Sequence, residues 1–212
     1  MRPFLIISAL ALALVAMAEP AGAAGVRMFV RHEVADYGAW RKAYDAFRTT
    51  QHEMGVTAQA VYQATDNPND VTVTHDFKTE AEARAFAASD KLKTAMQNAG
   101  VKGTPQIWIA KATPGASGKT GHVRMFVRHD VADYGAWRET YDAFRATQRE
   151  MGVLGQTVYQ ATDNPNDVTV VHDFKTEAEA RAFATSDKLK TAMQNAGVKG
   201  PPKIWITTRA AK

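Results

Sequence analysis

The sequence predicts an α+β fold built twice, as two βαββαβ repeats packed sheet to sheet within one chain. Three observations lead there. Residues 26–109 recur as residues 123–206 at a fixed offset of 97, without a gap, and the copies differ at 12 of 84 aligned positions. In each copy apolar residues alternate over short runs and recur at three- and four-residue steps over longer ones, so strands and amphipathic helices both occur. Turn and cap residues punctuate both copies at matching places. A unit of this length exceeds the roughly 20–50 residues of a solenoid repeat and is long enough for a core of its own. The chain reads as a homodimer whose two subunits have been joined.

Val26 to His32 is rich in β-formers and is the first strand. Asp36-Tyr37-Gly38 opens a helix running to about Met54, with Trp40, Tyr44, Phe47, Gln51 and Met54 on one face. Gly55 stops it. Ala60 to Thr65 is the second strand, and Asp66-Asn67-Pro68-Asn69-Asp70 is a turn. Val71 to Phe77 is the third strand. Thr79-Glu80-Ala81-Glu82 has the spacing of a capping box and starts a second helix. Ser89-Asp90 caps a further helical segment from Lys91 to Asn98, which Gly100 ends, and Pro105 to Ile109 is a short last strand.

That order gives a ferredoxin-like sheet with its helices on one face. The other face would be bare, and the second repeat supplies its cover. Strand parity sorts the side chains. An aliphatic set, including Val26, Met28, Val30, His32, Val61, Val71, Val73, His75, Phe77, Ile107 and Ile109, is expected under the helices. A mixed set, including Arg27, Phe29, Arg31, Tyr62, Thr72, Thr74, Asp76 and Trp108, is expected at the junction of the halves. Arg27, Arg31 and Asp76 share that junction face and are candidates to pair across it.

Residues 1–24 read as a signal peptide: Arg2, an apolar run from Phe4 to Ala18, then Ala-x-Ala sites ending at Ala18 and Ala23. The run is too short for a comfortable membrane span, so a periplasmic or secreted protein is expected, with no membrane attachment after cleavage. Repeat 1 spans 25–110, a flexible linker 111–121, repeat 2 122–208 and a tail 209–212. Tethering raises the effective concentration of the partner half, so a monomer with internal pseudo-twofold symmetry is expected. No cysteine is present, which excludes disulfides, thiolate metal sites and a cysteine nucleophile. The net charge of +4 is spread over both repeats without a basic block, which argues against nucleic acid as a partner. No His-x-His or His-x-x-x-His pair, dinucleotide loop, phosphate loop or nucleophile elbow occurs, and no metal or cofactor is expected from the residues.

The run His32-Glu33-Val34-Ala35-Asp36-Tyr37-Gly38-Ala39-Trp40, with Asp66-x-Pro68-Asn69 and Ser89-Asp90-Lys91-Leu92-Lys93-Thr94-Ala95-Met96-x-x-Ala99-Gly100-Val101, resembles the dimeric α/β-barrel superfamily. Within it the similarity is to antibiotic-biosynthesis-monooxygenase-like domains. The resemblance implies an intramolecular dimeric α/β barrel and a small-molecule cavity between sheet and helices in each half. That cavity would be lined by the aliphatic set with Trp40, Tyr44 and Phe47, and by Trp137, Tyr141 and Phe144 in the second half. The ligand would be a small apolar or aromatic molecule. The superfamily holds cofactor-independent monooxygenases, quinol oxidases and haem-degrading enzymes. The expected activity is cofactor-independent oxygenation of a phenol or quinol; the alternatives are a non-catalytic binding or scavenging protein and a purely structural module. A cavity of about 300 Å³ or more would favour the first two.

Two ionisable residues interrupt the aliphatic set in each half: His32 and His75, copied as His129 and His172. His75, flanked on its strand face by Val73 and Phe77, is the candidate proton acceptor, with His172 its copy. His32 and His129 are candidate ligand contacts and the fallback pair. The competing role for each is a core histidine satisfied by a backbone carbonyl. Three strand positions differ between the repeats, Ala60/Thr157, Thr74/Val171 and Gln106/Lys203, all in the junction set, which hints at two equivalent cavities.

Overall fold

The computed structural model describes residues 25–210; the expected signal peptide lies outside the described residues. Repeat 1 consists of β1 (Val26–Val34), α1 (Tyr37–Ala46), α2 (Arg48–Glu53), β2 (Ala58–Ala64), β3 (Asp70–Phe77), α3 (Glu80–Ala87), α4 (Asp90–Asn98) and β4 (Val101–Ala112). A two-residue strand, β5 (Ser117–Gly118), precedes repeat 2. Repeat 2 consists of β6 (Val123–Val131), α5 (Tyr134–Ala143), α6 (Arg145–Glu150), β7 (Gly155–Ala161), β8 (Asp167–Phe174), α7 (Glu177–Ala184), α8 (Asp187–Asn195) and β9 (Val198–Arg209).

The local signals act as expected at the helix starts. Asp36 caps α1 through Ala39 N, Thr79 and Glu82 form the reciprocal capping box of α3, and Ser89 caps α4 through Leu92 N. The expected single helix to Met54 is interrupted at Phe47, whose N–H meets the carbonyls of both Ala43 and Tyr44. The last strand is far longer than Pro105 to Ile109. β4 gains residues at its start by a bulge opposite β1 between Arg31 and Glu33, where Gly103 takes a φ of 62° that a side chain would strain. It gains residues at its end by crossing to the other repeat.

That crossing closes the fold. Within each repeat the order is β4-β1-β3-β2, all antiparallel. The end of β4 pairs with β7, Ala110 opposite Ala161, and the end of β9 pairs with β2, Thr207 opposite Ala64. The two sheets therefore do more than face each other. They join at both edges into an eight-stranded barrel, which leaves none of its strands as an open edge.

The junction parity set fills the barrel. Phe29 stacks on Trp108 at 5.0 Å and meets Phe126 and Tyr159 edge-on, while Trp108 and Trp205 cross at 6.3 Å. Trp108 Nε1 donates to Thr169 Oγ1 and Trp205 Nε1 to Thr72 Oγ1, each reaching into the other repeat. The arginines bind within their own repeat and across the junction. Arg27 grips Asp76 with two bonds and donates a third to Tyr159 Oη; Arg124 does the same with Asp173 and Tyr62. Arg31 pairs with Asp70 and lies 4.4 Å over the Trp205 ring. Asp66 is more than a turn former, since Arg181 of the other repeat donates to it, as Arg84 does to Asp163.

The expected flexible linker, residues 111–121, is pinned instead. Lys111 and Ala112 belong to β4, β5 pairs with Gly155 and Gln156, and Arg138 and Arg145 donate to Thr113 Oγ1 and Gly115 O. In the same way Arg209, assigned to the tail, is the last residue of β9. The reason is common to both: a residue that completes a neighbour's ladder satisfies backbone groups a loop would leave to water.

Dynamic light scattering on residues 25–212 is expected to show a monomer, since both edges and the apolar interior are satisfied internally. Residues 25–112 alone are expected to dimerise or to remain unfolded. A monomeric, well-folded single repeat would contradict this arrangement.

Candidate functional site

Each half carries an apolar pocket between its helices and the outer face of its own sheet strands. In repeat 1 the sheet contributes Val30, His32, Val73 and His75, α1 and α2 contribute Trp40, Ala43, Tyr44 and Gln51 with Phe47 between them, and α4 roofs it with Leu92, Ala95 and Met96, followed by Ala99. Strand parity places the first four side chains, since alternate residues share a face. The helical spacing of Trp40, Tyr44, Phe47 and Gln51 does the same for the wall. The site residues expected from the sequence, His32, His75, Trp40, Tyr44 and Phe47, thus converge on one pocket, and their copies His129, His172, Trp137, Tyr141 and Phe144 on another.

The wall is aromatic and flat. Trp40 and Tyr44 stack at 5.0 Å and 21°, and Trp137 and Tyr141 at 4.9 Å and 18°. His32 lies 5.6 Å from Trp40, and His75 packs against Phe86 at 5.3 Å.

The polar atoms are few and their partners incomplete. Tyr44 Oη donates to Gln59 Oε1 at 3.1 Å and lies 3.2 Å from His75 Nε2; the copy is tighter, Tyr141 Oη to Gln156 Oε1 at 2.8 Å with His172 Nε2 at 3.2 Å. A tyrosine hydroxyl has one proton. With that proton directed to the glutamine, the imidazole Nε2–H donates to the phenol oxygen, and Nδ1 is left with an acceptor lone pair. No hydrogen-bond partner is present for His75 Nδ1, for either nitrogen of His32, or for Gln51 Oε1, and the copies in repeat 2 match atom for atom. Each such buried group costs about 1–3 kcal/mol unless a bound molecule completes it. The expected alternative, a histidine satisfied by a backbone carbonyl, does not describe these four residues.

Burial dominates their electrostatics. It lowers the pKa of His75 and His172 to about 3, with Asp76 opposing the shift at His75 and His32 adding to it. His32 and His129 are lowered to about 4, again by burial and against the pull of Asp70 and Asp167. Burial likewise pushes the Tyr44 and Tyr141 phenols up. All four imidazoles are neutral at pH 7.

Two expectations need correction. The cavity in each half measures about 40 Å³, far below the 300 Å³ expected of a small-molecule site, because Leu92 and Met96 of α4 close over it. That is room for about three waters, and a ring, which needs a cavity on the order of 150 Å³, enters only if Leu92 and Met96 move aside. Nor are the pockets wholly alike. Ala43 is replaced by Thr140, whose hydroxyl bonds Ala136 O within its own helix. The lining is otherwise identical. The longer strands add Glu33/Asp130, Ala58/Gly155, Thr104/Pro201, Ala110/Thr207, Lys111/Thr208 and Ala112/Arg209 to the strand differences, and none of these lines a pocket.

Gln51 and the α4 roof were not anticipated as site residues. A signal for Gln51 existed, a lone amide on the apolar helix face of Trp40, Tyr44 and Phe47. For the roof there was none, since α4 is polar in most positions and its docking depends on the tertiary fold. Among the described residues no group of three or more His, Asp or Glu side chains could hold a metal ion, and no helix is long and apolar enough to cross a membrane.

Residues 120–195 match the family model described as antibiotic biosynthesis monooxygenase. The aligned segment of repeat 1 is its near-copy. Solved structures with this fold include an anthrone oxidase-like protein (TM-score 0.68, 10% identity, covering 89% of this chain and 92% of that one). Another is a ferredoxin-fold protein of Listeria monocytogenes related to antibiotic biosynthesis monooxygenases (TM-score 0.53, 10% identity, 90% and 97% covered). A third is a monooxygenase-like protein of Listeria innocua (TM-score 0.52, 10% identity, 88% and 95% covered). No curated protein matches the chain.

Proposed function

Since the chain is a tandem pair of antibiotic-biosynthesis-monooxygenase-like domains on a dimeric α/β-barrel fold, we propose that each half binds a small aromatic molecule and oxygenates it as a phenol or quinol without a cofactor. The observation that carries this reading is a pair of neutral imidazoles lining a flat apolar pocket, His32 with no hydrogen-bond partner and His75 with none at Nδ1. A hydroxyl-bearing ring satisfies both features at once: its face lies on Trp40 and Tyr44, and its hydroxyl supplies the proton that His75 Nδ1 lacks.

In this reading His75 takes the hydroxyl proton and the aromatic anion gives an electron to dioxygen. Recombination forms the new C–O bond, and the second oxygen atom leaves as water while the ring becomes a quinone. The pocket excludes water and holds the ring. The proton step is the demanding one. Moving a proton from a phenol of pKa near 10 to an imidazole held near 3 is uphill by on the order of 10 kcal/mol. Contact between the resulting ion pair at about 3 Å returns roughly half of that at an effective dielectric of 20. The balance is within the reach of an enzymatic barrier. It also keeps the second reading, a binding or scavenging protein of the same fold, in play.

Oxygen uptake with a panel of phenols and quinols separates the two. Uptake that saturates with substrate, needs no added metal or cofactor and yields an oxygenated product is the expected result. Saturable binding without uptake selects the binding protein. The leader-like residues 1–24 support a periplasmic or secreted location, and intact mass of the exported protein, starting after Ala18 or Ala23, tests it.

A further inference from the structure

We propose that the inner pocket of repeat 2 and an outer cleft behind α8 form one two-chamber site partitioned by Met193, and that the outer chamber takes a carboxylate-bearing arm of the ligand at Lys190. The ring in the inner chamber rests on the small-aromatic reading above; the outer chamber and its preference for an anion go beyond it.

A cleft of about 350 Å³ lies between α8 and the first half of β9, above the lower bound of about 300 Å³ for ligand pockets. Leu189 and Met193 line it, and the same two side chains close the pocket of about 40 Å³ on their other side. They are the wall between the two voids. Being four residues apart, they share one face of α8. Their mobilities differ. Leu189 is the one buried residue of α8 and ties the helix to the core, whereas Met193 is half-buried, unbranched and rich in rotamers.

A ring enters the inner pocket only if this wall gives way, and in a close-packed interior the displaced atoms would overpack a neighbour. Met193 has the cleft to turn into, so its displacement needs a change of rotamer and no shift of α8. Turning it joins the two chambers into a space that holds a substituted ring.

The outer chamber has its own chemistry. Val198, Pro202 and Ile204 fall on one face of β9 and give it an apolar floor. Lys190 is the one charged residue that lines it, and no acidic side chain does; Asp187, a turn earlier on α8, lies outside the lining. A ligand that fills both chambers is therefore a hydroxylated ring with a short apolar arm ending in a carboxylate. Repeat 1 carries the same lining residues at the matching positions, except Ala88 for Thr185, whose hydroxyl is already given to Arg181 O.

The test is calorimetric titration of residues 25–212 with 3-(4-hydroxyphenyl)propionate, 4-propylphenol and phenol, joined to stopped-flow tryptophan fluorescence with phenol. Copies in repeat 1 are changed together with the residues named, so that both halves read alike. The propionate is expected to bind about tenfold more tightly than 4-propylphenol, the value of one hydrogen bond to a charged group. In the Lys93→Glu, Lys190→Glu variant, at exposed positions the fold tolerates, that order is expected to reverse. In the Met96→Ala, Met193→Ala variant phenol is expected to associate several-fold faster. Equal affinity for the propionate and 4-propylphenol, or a ratio that the lysine changes do not move, overturns the anionic arm. An unchanged association rate in a folded methionine variant overturns the partition. Either result, with phenol still bound, leaves the small-aromatic reading standing. Absence of binding by all three overturns both. The lysine comparison decides the outer chamber even if the methionine variant does not fold.

Discussion

Turnover of a responsive phenol or quinol is expected to fall by about 10²–10⁴ when His75 and His172 are both replaced by Ala, the range for loss of a general base. Replacing one alone is expected to remove about half, because each pocket is complete within its own repeat and no residue of one half lines the other's cavity. The size of the effect follows from the environment. Among the unpartnered acceptors around the pocket, the imidazoles are more basic than the Gln51 amide oxygen, and the His75 ring is fixed by Tyr44 through Nε2 with Nδ1 left unpartnered. Tyr44 cannot substitute, since burial raises its phenol pKa and its proton goes to Gln59. Circular dichroism and retained phenol binding separate a lost base from a lost fold. Unchanged turnover in a folded double variant removes these histidines from the mechanism.

Acidification is expected to destabilise the protein well before its carboxylates titrate. Four imidazoles are held at about 3 to 4 in the folded chain, against about 6.5 when unfolded. Below pH 6.5 the unfolded chain takes up protons that the folded chain refuses. Stability is therefore complete above about pH 6.5 and is lost progressively as pH falls towards 4 and then 3. Between pH 7 and pH 5 each histidine contributes a loss of about 2 kcal/mol, so the four together reach on the order of 7 kcal/mol. That is comparable to the whole stability of a typical domain. Denaturant midpoints at pH 7, 6 and 5 measure it, and replacing all four histidines by Leu is expected to flatten the profile. A midpoint that does not move between pH 7 and pH 5 would show that these imidazoles are hydrated and able to charge.

The fold was legible because its signals are local and doubled. The capping box at Thr79 and Glu82, the Ser89 cap, the turn at 66–70 and the alternation of β1 and β3 each constrain the backbone over a few residues. Parity then placed His32 and His75 on the helix side and Phe29, Tyr62 and Trp108 in the barrel, and the structure agrees. What was not legible depends on partners distant in sequence. The ends of β4 and β9 are strands only because β7 and β2 offer them a ladder, so Lys111 and Ala112 read as linker and Arg209 as tail. The bulge at Gly103 hid the start of β4 by breaking its alternation. Cavity size was beyond reach for a related reason: it is set by how far α4 descends onto Trp40 and Tyr44, a packing outcome with no period in the sequence.

The direct test of two equivalent hydroxyl-accepting pockets is nitrogen-15 NMR of histidine-labelled protein (residues 25–212) at pH 7, with phenol added in steps. The expected spectrum shows four neutral buried imidazoles, with His75 and His172 protonated at Nε2. Phenol should shift the Nδ1 resonances of His75 and His172 together and saturate at about two molecules per chain, as two separate and near-identical pockets require. Nδ1 resonances unmoved by saturating phenol, with changes confined to His52 and His122, would contradict it.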